Sequence, residues 1–446
     1  MRAPFLALAY LLLLAEISAA ETFSLTLKQA VALSMEKNNL VTAAGYTADS
    51  ARQDIDIAKA RYFPLIAFEE AFVISNSPTQ AFMMKLDESR FAESDLQVKN
   101  LNNPATQHDF RTALIMQQAL YDPALSPAIK IAEQESERQN LNFNAVKEET
   151  AYRIFRQFLD VRKAKARQQA VEQAFIDARE NVRLAKVRTG AGLGLKSDEM
   201  RARTHLSSIE QQQITAGNSL TLARMQLADL IGLTSGDDVD TVEQHGTIGP
   251  YIPTDELVKT ALQNRLELKR SRTELEKSDA VLNLARSGYL PSLTAVASYQ
   301  MNGRDNPFGS DNDSWFAGVT LKWQLFDGFK RNRENDRAIA SRSAAAEFLA
   351  NRIRETGYQV KESCLRRDEM GKRLEVSRNS LADAEETVRL LTKRFENSLA
   401  TMVELLDAQT VLNQVRATLV ETESDYMLAT GNVYYSAGIF MREIVK

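Results

Sequence analysis

Asp198 and Glu404 are two carboxylates whose placement needs an explanation. Each follows a copy of the same turn. RTGAGLGLKSDEMRARTHL runs from Arg188 to Leu206 and RFENSLATMVELLDAQTVL from Arg394 to Leu412. They align with Arg188 under Arg394, Leu193 under Leu399, Asp198 under Glu404 and Ala202 under Ala408. Asp407 stands three residues beyond Glu404, so a helix would carry both carboxylates on one face. Catalysis or metal binding would require further partners at useful spacing. His108, His205 and His245 are scattered and lack metal-ligand spacing with one another or with the single cysteine. There is no G-x-S-x-G, no Gly-rich phosphate loop and no zincin motif. Cys364 falls within a long helical pattern and reads as a small apolar residue. These residues argue against an enzyme and against a bound metal or cofactor.

The elements that position the carboxylates are duplicated too. IDIAKARYFPLI (Ile55 to Ile66) matches LNLARSGYLPSL (Leu282 to Leu293), with Pro64 under Pro291. QALYDP (Gln118 to Pro123) resembles WQLFDG (Trp323 to Gly328), and ADLIGL (Ala228 to Leu233) matches YSAGIF (Tyr435 to Phe440). The order of blocks is the same in both halves, which marks a tandem duplication. The expected organisation is a first repeat over 21–233, a linker over 234–253 and a second repeat over 254–446. Each repeat opens with a helical segment, Ser24 to Arg61 or Thr254 to Gly288. Each segment closes at an aromatic-Pro step, where proline ends the helix and favours extended backbone.

Beyond the second proline, hydrophobicity alternates with period two. Leu293, Ala295, Ala297, Tyr299 and Met301 share one face, with Ser292, Thr294, Ser298 and Gln300 opposite. After GRDNPFGSDND the alternation resumes through Trp315, Ala317, Val319, Leu321, Trp323 and Leu325, with Thr320, Lys322 and Gln324 opposite. Runs of about ten residues with one apolar face and aromatics at the ends suit transmembrane β-strands, the tryptophans marking the interface. The first-half counterparts, Tyr62 to Ser75 and Phe110 to Tyr121, are more mixed. A long loop of undefined content, roughly 76–108, separates them.

The remaining runs, Ala124 to about Thr189 and Lys330 to about Leu399, contain few helix breakers. At 1.5 Å per residue each could extend ~100 Å as a helix. Ile154, Phe158 and Val161, like Val388, Leu391 and Phe395, recur at helical spacing among charged residues. That is a coiled-coil-like stripe. Each long helix turns at the repeated motif and returns through Ser197 to Ile231 or Thr401 to Tyr435. The duplicated turns are therefore the tips of two helical hairpins.

Composition agrees. Of 446 residues, 26% are charged, 44% apolar and 7% aromatic, with 10 Pro and 18 Gly, a balance that favours long helices. A net charge of −4 gives no nucleic-acid signature. MRAPFLALAYLLLLAEISAA, residues 1–20, reads as an export signal peptide whose apolar core is too short to span a membrane.

Four strands cannot close a barrel, and lipid does not tolerate open sheet edges. Oligomerisation is expected. Three copies would supply twelve strands around an aqueous pore, joined to a hollow helical conduit.

On the duplicated helix-YxP-strand pattern, GLGLKSDEMRAR (Gly192 to Arg203) and RFENSLATMVELLDAQ (Arg394 to Gln409), the chain resembles the TolC-like outer-membrane efflux channel family. The resemblance covers nearly all of the chain beyond the signal peptide. It implies a mainly α fold with a β-barrel portion: duplicated helical hairpins and four transmembrane strands per chain, assembled as a homotrimer. It also implies a Gram-negative type outer membrane with a periplasmic extension, a periplasmic adaptor, and an inner-membrane transporter that drives efflux or type I secretion.

The family's constriction pattern resembles VELLDA here, which assigns the pore constriction to Glu404 and Asp407. Rings of carboxylates would attract cations there. By the same resemblance Asp198 takes part in tip gating. Gly192, Leu193, Ser197, Leu399 and Thr401 lie in the turns that would meet an adaptor hairpin. Phe395 and Ala400 replace a Tyr and an Arg that latch the tip in other members, so the closed state needs another link. Two rival classes fit less well. A secreted coiled-coil protein has no use for the alternating strands, and a periplasmic adaptor would add lipoyl-like segments that are absent.

Overall fold

The computed structural model describes residues 22–233, 238–242, 250–309 and 311–445. The expected signal peptide, 1–20, and most of the linker lie outside the described residues. In chain order the elements are β1 (Thr22–Leu25), α1 (Leu27–Lys37), α2 (Asn39–Ala60), β2 (Leu65–Ser75), α3 (Pro78–Asp87) and α4 (Val98–Asn102). Then come β3 (Gln107–Tyr121), α5 (Leu125–Gly190), α6 (Lys196–Ile231), β4 (Asp238–Thr241), α7 (Thr254–Asn264) and α8 (Leu266–Ser287). The last are β5 (Ser292–Gly303), β6 (Asn312–Lys322), α9 (Lys330–Glu396), α10 (Met402–Ser436) and α11 (Phe440–Glu443). The fold is mainly α with a four-stranded sheet, and the two longest helices, α5 and α9, have 66 and 67 residues. Pro127 costs α5 nothing, because it sits in the first turn where no intrahelical donor is needed.

Two compact units divide the chain, and each takes segments from both sequence repeats. One gathers the segment ending at Thr47, Leu141–Arg270 and Ala350–Lys446; the other gathers Ala48–Asn140 and Ser271–Leu349.

The second unit carries the sheet, ordered β2-β3-β5-β6 and antiparallel throughout. Its register brings like faces together. Phe68 is opposite Leu114, Leu114 opposite Tyr299, and Tyr299 opposite Trp315. One face therefore presents Ile66, Phe68, Phe72, Leu114, Tyr299, Trp315, Val319 and Leu321, all exposed. The alternation expected to run to Leu325 stops earlier, because strand pairing ends at Lys322. Beyond it, Trp323 Nε1 donates to Tyr289 O at 3.1 Å. The matching residue of the first repeat, Gln118, donates to Tyr62 O at 2.9 Å. The aromatic-Pro corner is thus tied in the same way in both halves.

The loop over 76–108 is structured. Around α3 and α4 it adds a 3₁₀ turn at Glu93–Leu96, a Phe82–Phe91 edge contact at 4.7 Å and a Lys85–Asp95 ion pair at 2.7 Å.

The first unit holds the main core: Ile154, Phe155, Phe158 and Val161 of α5 with Leu227 and Ile231 of α6, Val360 and Cys364 of α9, Val433 of α10, and Phe440. The expected stripe on α5 is this buried face. The helical openings of both repeats, expected as single helices, break at Asn38 and Arg265, whose ψ angles of 119° and 125° are extended. Asn38 holds its corner by accepting from Leu40 N at 2.9 Å and donating to Leu230 O at 2.8 Å. β1 and β4 pair in parallel, placing part of the linker in this unit. Gly232 ends α6 at φ +90, and a Cβ there would lie 2.5 Å from Lys37 O, so only glycine fits.

Candidate functional site at the hairpin tips

Both repeated turns lie in the first unit and share one geometry. In the first, Gly192 adopts φ +72. Leu193 N donates to Arg188 O at 2.9 Å, and Gly192 N to Thr189 O at 3.2 Å. In the second, Ser398 adopts φ +61. Leu399 N donates to Arg394 O at 2.7 Å, and Ser398 N to Phe395 O at 3.0 Å. Each is a Schellman cap: a left-handed residue lets two amides satisfy the last helical carbonyls. Glycine adopts that backbone freely and serine does so at a cost.

The returning helices begin differently. Thr401 is the N-cap of α10: its hydroxyl accepts from Glu404 N at 3.3 Å, while its own N–H donates to Glu404 Oε2 at 2.7 Å. This reciprocal capping box satisfies two amide donors. The backbone N–H of Thr401, and then its hydroxyl, hold the Glu404 carboxyl below its usual range. Leu195, the matching residue, caps α6 without a side-chain hydrogen bond.

A small core joins the two hairpins. Ala185, Ala202, Phe395, Met402, Leu405 and Leu406 are buried together, with Val182, Leu391 and Ala400 against them. Burying Leu405 and Leu406 turns the other side of α10 outward, and there Glu404 and Asp407 are both exposed on one face. Asp198 lies on the other hairpin, half-buried, and no side-chain partner for it is found among the described residues. Its neighbour Glu199 is buried and paired with Lys196 at 2.5 Å and Arg203 at 2.7 Å. The Lys196 hydrogen bond, chiefly, keeps its carboxyl low. Leu193 and Leu399 are 72% and 68% exposed, so each turn presents a bare leucine. Gly192, Ser197 and Thr401 are exposed beside them.

Sequence reasoning missed Arg188. Its Nη1 donates to Phe395 O and its Nη2 to Ser398 Oγ, both at 2.8 Å, and its guanidinium stacks 4.7 Å from the Phe395 ring centre. The signal was available: an arginine at the same place in both copies, and a serine where the first turn has glycine. No group of His, Cys, Asp or Glu able to hold a metal occurs among the described residues.

The described residues thus combine an exposed apolar sheet face in one unit with twin capped hairpins in the other. The profile of the outer membrane efflux protein family matches residues 31–233 and 257–438, and the chain belongs to that family. It is 23% identical over 280 residues to nodulation protein T of Rhizobium leguminosarum bv. trifolii, covering 61% of this chain and 60% of that relative's length. It is 27% identical over 303 residues to the cobalt-zinc-cadmium resistance protein CzcC of Cupriavidus metallidurans, covering 65% of this chain and 68% of the other. Its fold matches the outer membrane protein VceC of Vibrio cholerae with a TM-score of 0.75 at 17% identity, over 92% of this chain and 96% of that one.

Proposed function

We propose that this chain is the outer-membrane exit duct of an envelope-spanning efflux system, a passive conduit built from three copies. The sheet is the observation that carries the reading. It has four strands, one largely apolar face on which the polar pair Glu70 and Thr112 hydrogen-bond to each other, and outer edges on β2 and β6 that meet no strand among the described residues. In lipid every backbone group must be satisfied, so such edges require neighbours. Three copies pairing β6 of one with β2 of the next would close twelve strands, wide enough for water.

In that trimer Glu404 and Asp407 would each form a ring of three carboxylates, a constriction that favours cations. Asp198 would take part in gating at the tip. The bare Leu193 and Leu399, with Gly192, Ser197 and Thr401, would meet a periplasmic adaptor hairpin. The chain offers no energy source of its own, so an inner-membrane transporter supplies it. One relative is named for nodulation and another for metal resistance, so family membership supports the duct and leaves the cargo open.

Single-channel recording of the purified chain in a planar bilayer tests this reading. A cation-selective pore formed by a trimer is expected. A folded trimer that conducts under no voltage or salt condition would return the case to a structural coiled-coil protein.

A further inference from the structure

We propose that Arg188 is the latch that holds the second hairpin tip against the first in the closed channel, with Ser398 as its acceptor. The proposal rests on the duct reading and deepens it. The apolar contacts between the tips are non-directional and can slide. The Arg188 fork is directional. It spans two hydrogen bonds and a ring face, all on residues of the other hairpin. Its target carbonyl, Phe395 O, belongs to the last turn of α9, where a cation is favoured.

The duplication supplies an internal control. Arg394, the counterpart of Arg188, donates to Leu399 O of its own turn at 3.2 Å and closes nothing between hairpins. Only one of the two equivalent arginines crosses. Ser398 supplies the second argument. The first turn relaxes its left-handed position with Gly192, whereas the second keeps a side chain there and spends its hydroxyl on Arg188. A serine in that backbone is understandable if the hydroxyl is needed. The Phe395 ring, buried and stacked under the guanidinium, fixes the remaining direction. Any motion that parts the tips must break this fork.

The test compares wild type with Arg188→Ala, Arg188→Lys and Ser398→Gly, as purified full-length trimers in potassium chloride across a planar bilayer. Arg188→Ala is expected to raise the time-averaged conductance several-fold. Arg188→Lys keeps the charge but cannot fork, and should fall between. Ser398→Gly separates latch from scaffold: it relieves the backbone and should hold or raise the thermal midpoint, yet it should also raise conductance. Intact trimers of Arg188→Ala and Ser398→Gly that conduct like wild type would overturn the proposal.

A second readout needs no current. Spin labels at Leu193→Cys and Leu399→Cys, in a Cys364→Ala background, report the distance between tips. Arg188→Ala should broaden and lengthen it, and an unchanged distribution would sink the latch. If no variant conducts but the tips still separate, the clasp stands and the duct reading fails.

Discussion

Thr401 and Glu404 cap each other at the start of α10, and this reciprocity gives Glu404 a structural role beside the constriction role proposed for it. Its carboxylate accepts from Thr401 N at 2.7 Å while standing exposed beside Asp407. Removing the side chain would therefore confound charge with helix capping. Glutamine at this position preserves the capping box. Glu404→Gln/Asp407→Asn should leave the trimer intact and move the cation-to-anion permeability ratio toward that of the bulk electrolyte. Reversal potentials under a salt gradient measure it, and an unchanged ratio would move the constriction elsewhere.

Glu148 offers a pH-dependent prediction in the first unit. Burial, and then the Glu267 carboxylate, raise its carboxyl from 4.5 to about 7, against the opposing pull of Arg265 and Lys269. The folded state thus holds this proton more tightly than the unfolded chain does. Its contribution to stability is full below the unfolded value and is lost as pH rises through the folded one. Glu148→Gln, which mimics the protonated form, should raise the thermal midpoint at about pH 8 and converge with wild type only below about pH 4. An equal gap at both values would mean that the residue does not titrate in this window.

Much of the architecture was readable because it repeats or alternates. The faces of β5 and β6 followed from period two, which register then extended across β3 and β2. The tips were visible as two copies of one turn. The corners at Asn38 and Arg265 were invisible, because neither residue is proline or glycine and Asn38 is held by a carbonyl at Leu230. The loop over 76–108 hid a small fold whose ties, such as Lys85 to Asp95, carry no periodic signal. At the tip, sequence alone drew attention to the carboxylates. It could not pair Arg188 with Phe395 and Ser398, which are 207 and 210 residues away.

The sheet faces make a paired prediction. Val319 lies mid-strand on the apolar face and Thr320 is its neighbour on the opposite face. If that apolar face meets lipid, Val319→Lys should cost ~2–4 kcal/mol near the bilayer midplane, while lysine on the pore side is tolerated. Val319→Lys should lose alkali-resistant membrane association, and Thr320→Lys should retain it. Equal tolerance of both would remove the lipid-facing assignment.

Gly431 tests the packing of α10 against α5. A Cβ there would lie 2.8 Å from Phe155 Cζ and 3.1 Å from its Cδ1, and closer still to Cε1. The ring cannot easily retreat, since it meets Phe440 at 5.4 Å and Tyr152 at 6.4 Å. Two effects compete in Gly431→Ala. Alanine gains ~1 kcal/mol in helix propensity, whereas overpacking costs ~1–3 kcal/mol. With the ring held on two sides, overpacking should win. Gly431→Ala should therefore lower the thermal midpoint, although the same change at an exposed helical glycine would raise it. Adding Phe155→Leu frees the space, so the double variant should be less destabilised than the two single losses combined. Strictly additive losses would mean that the alanine methyl and the Phe155 ring do not meet.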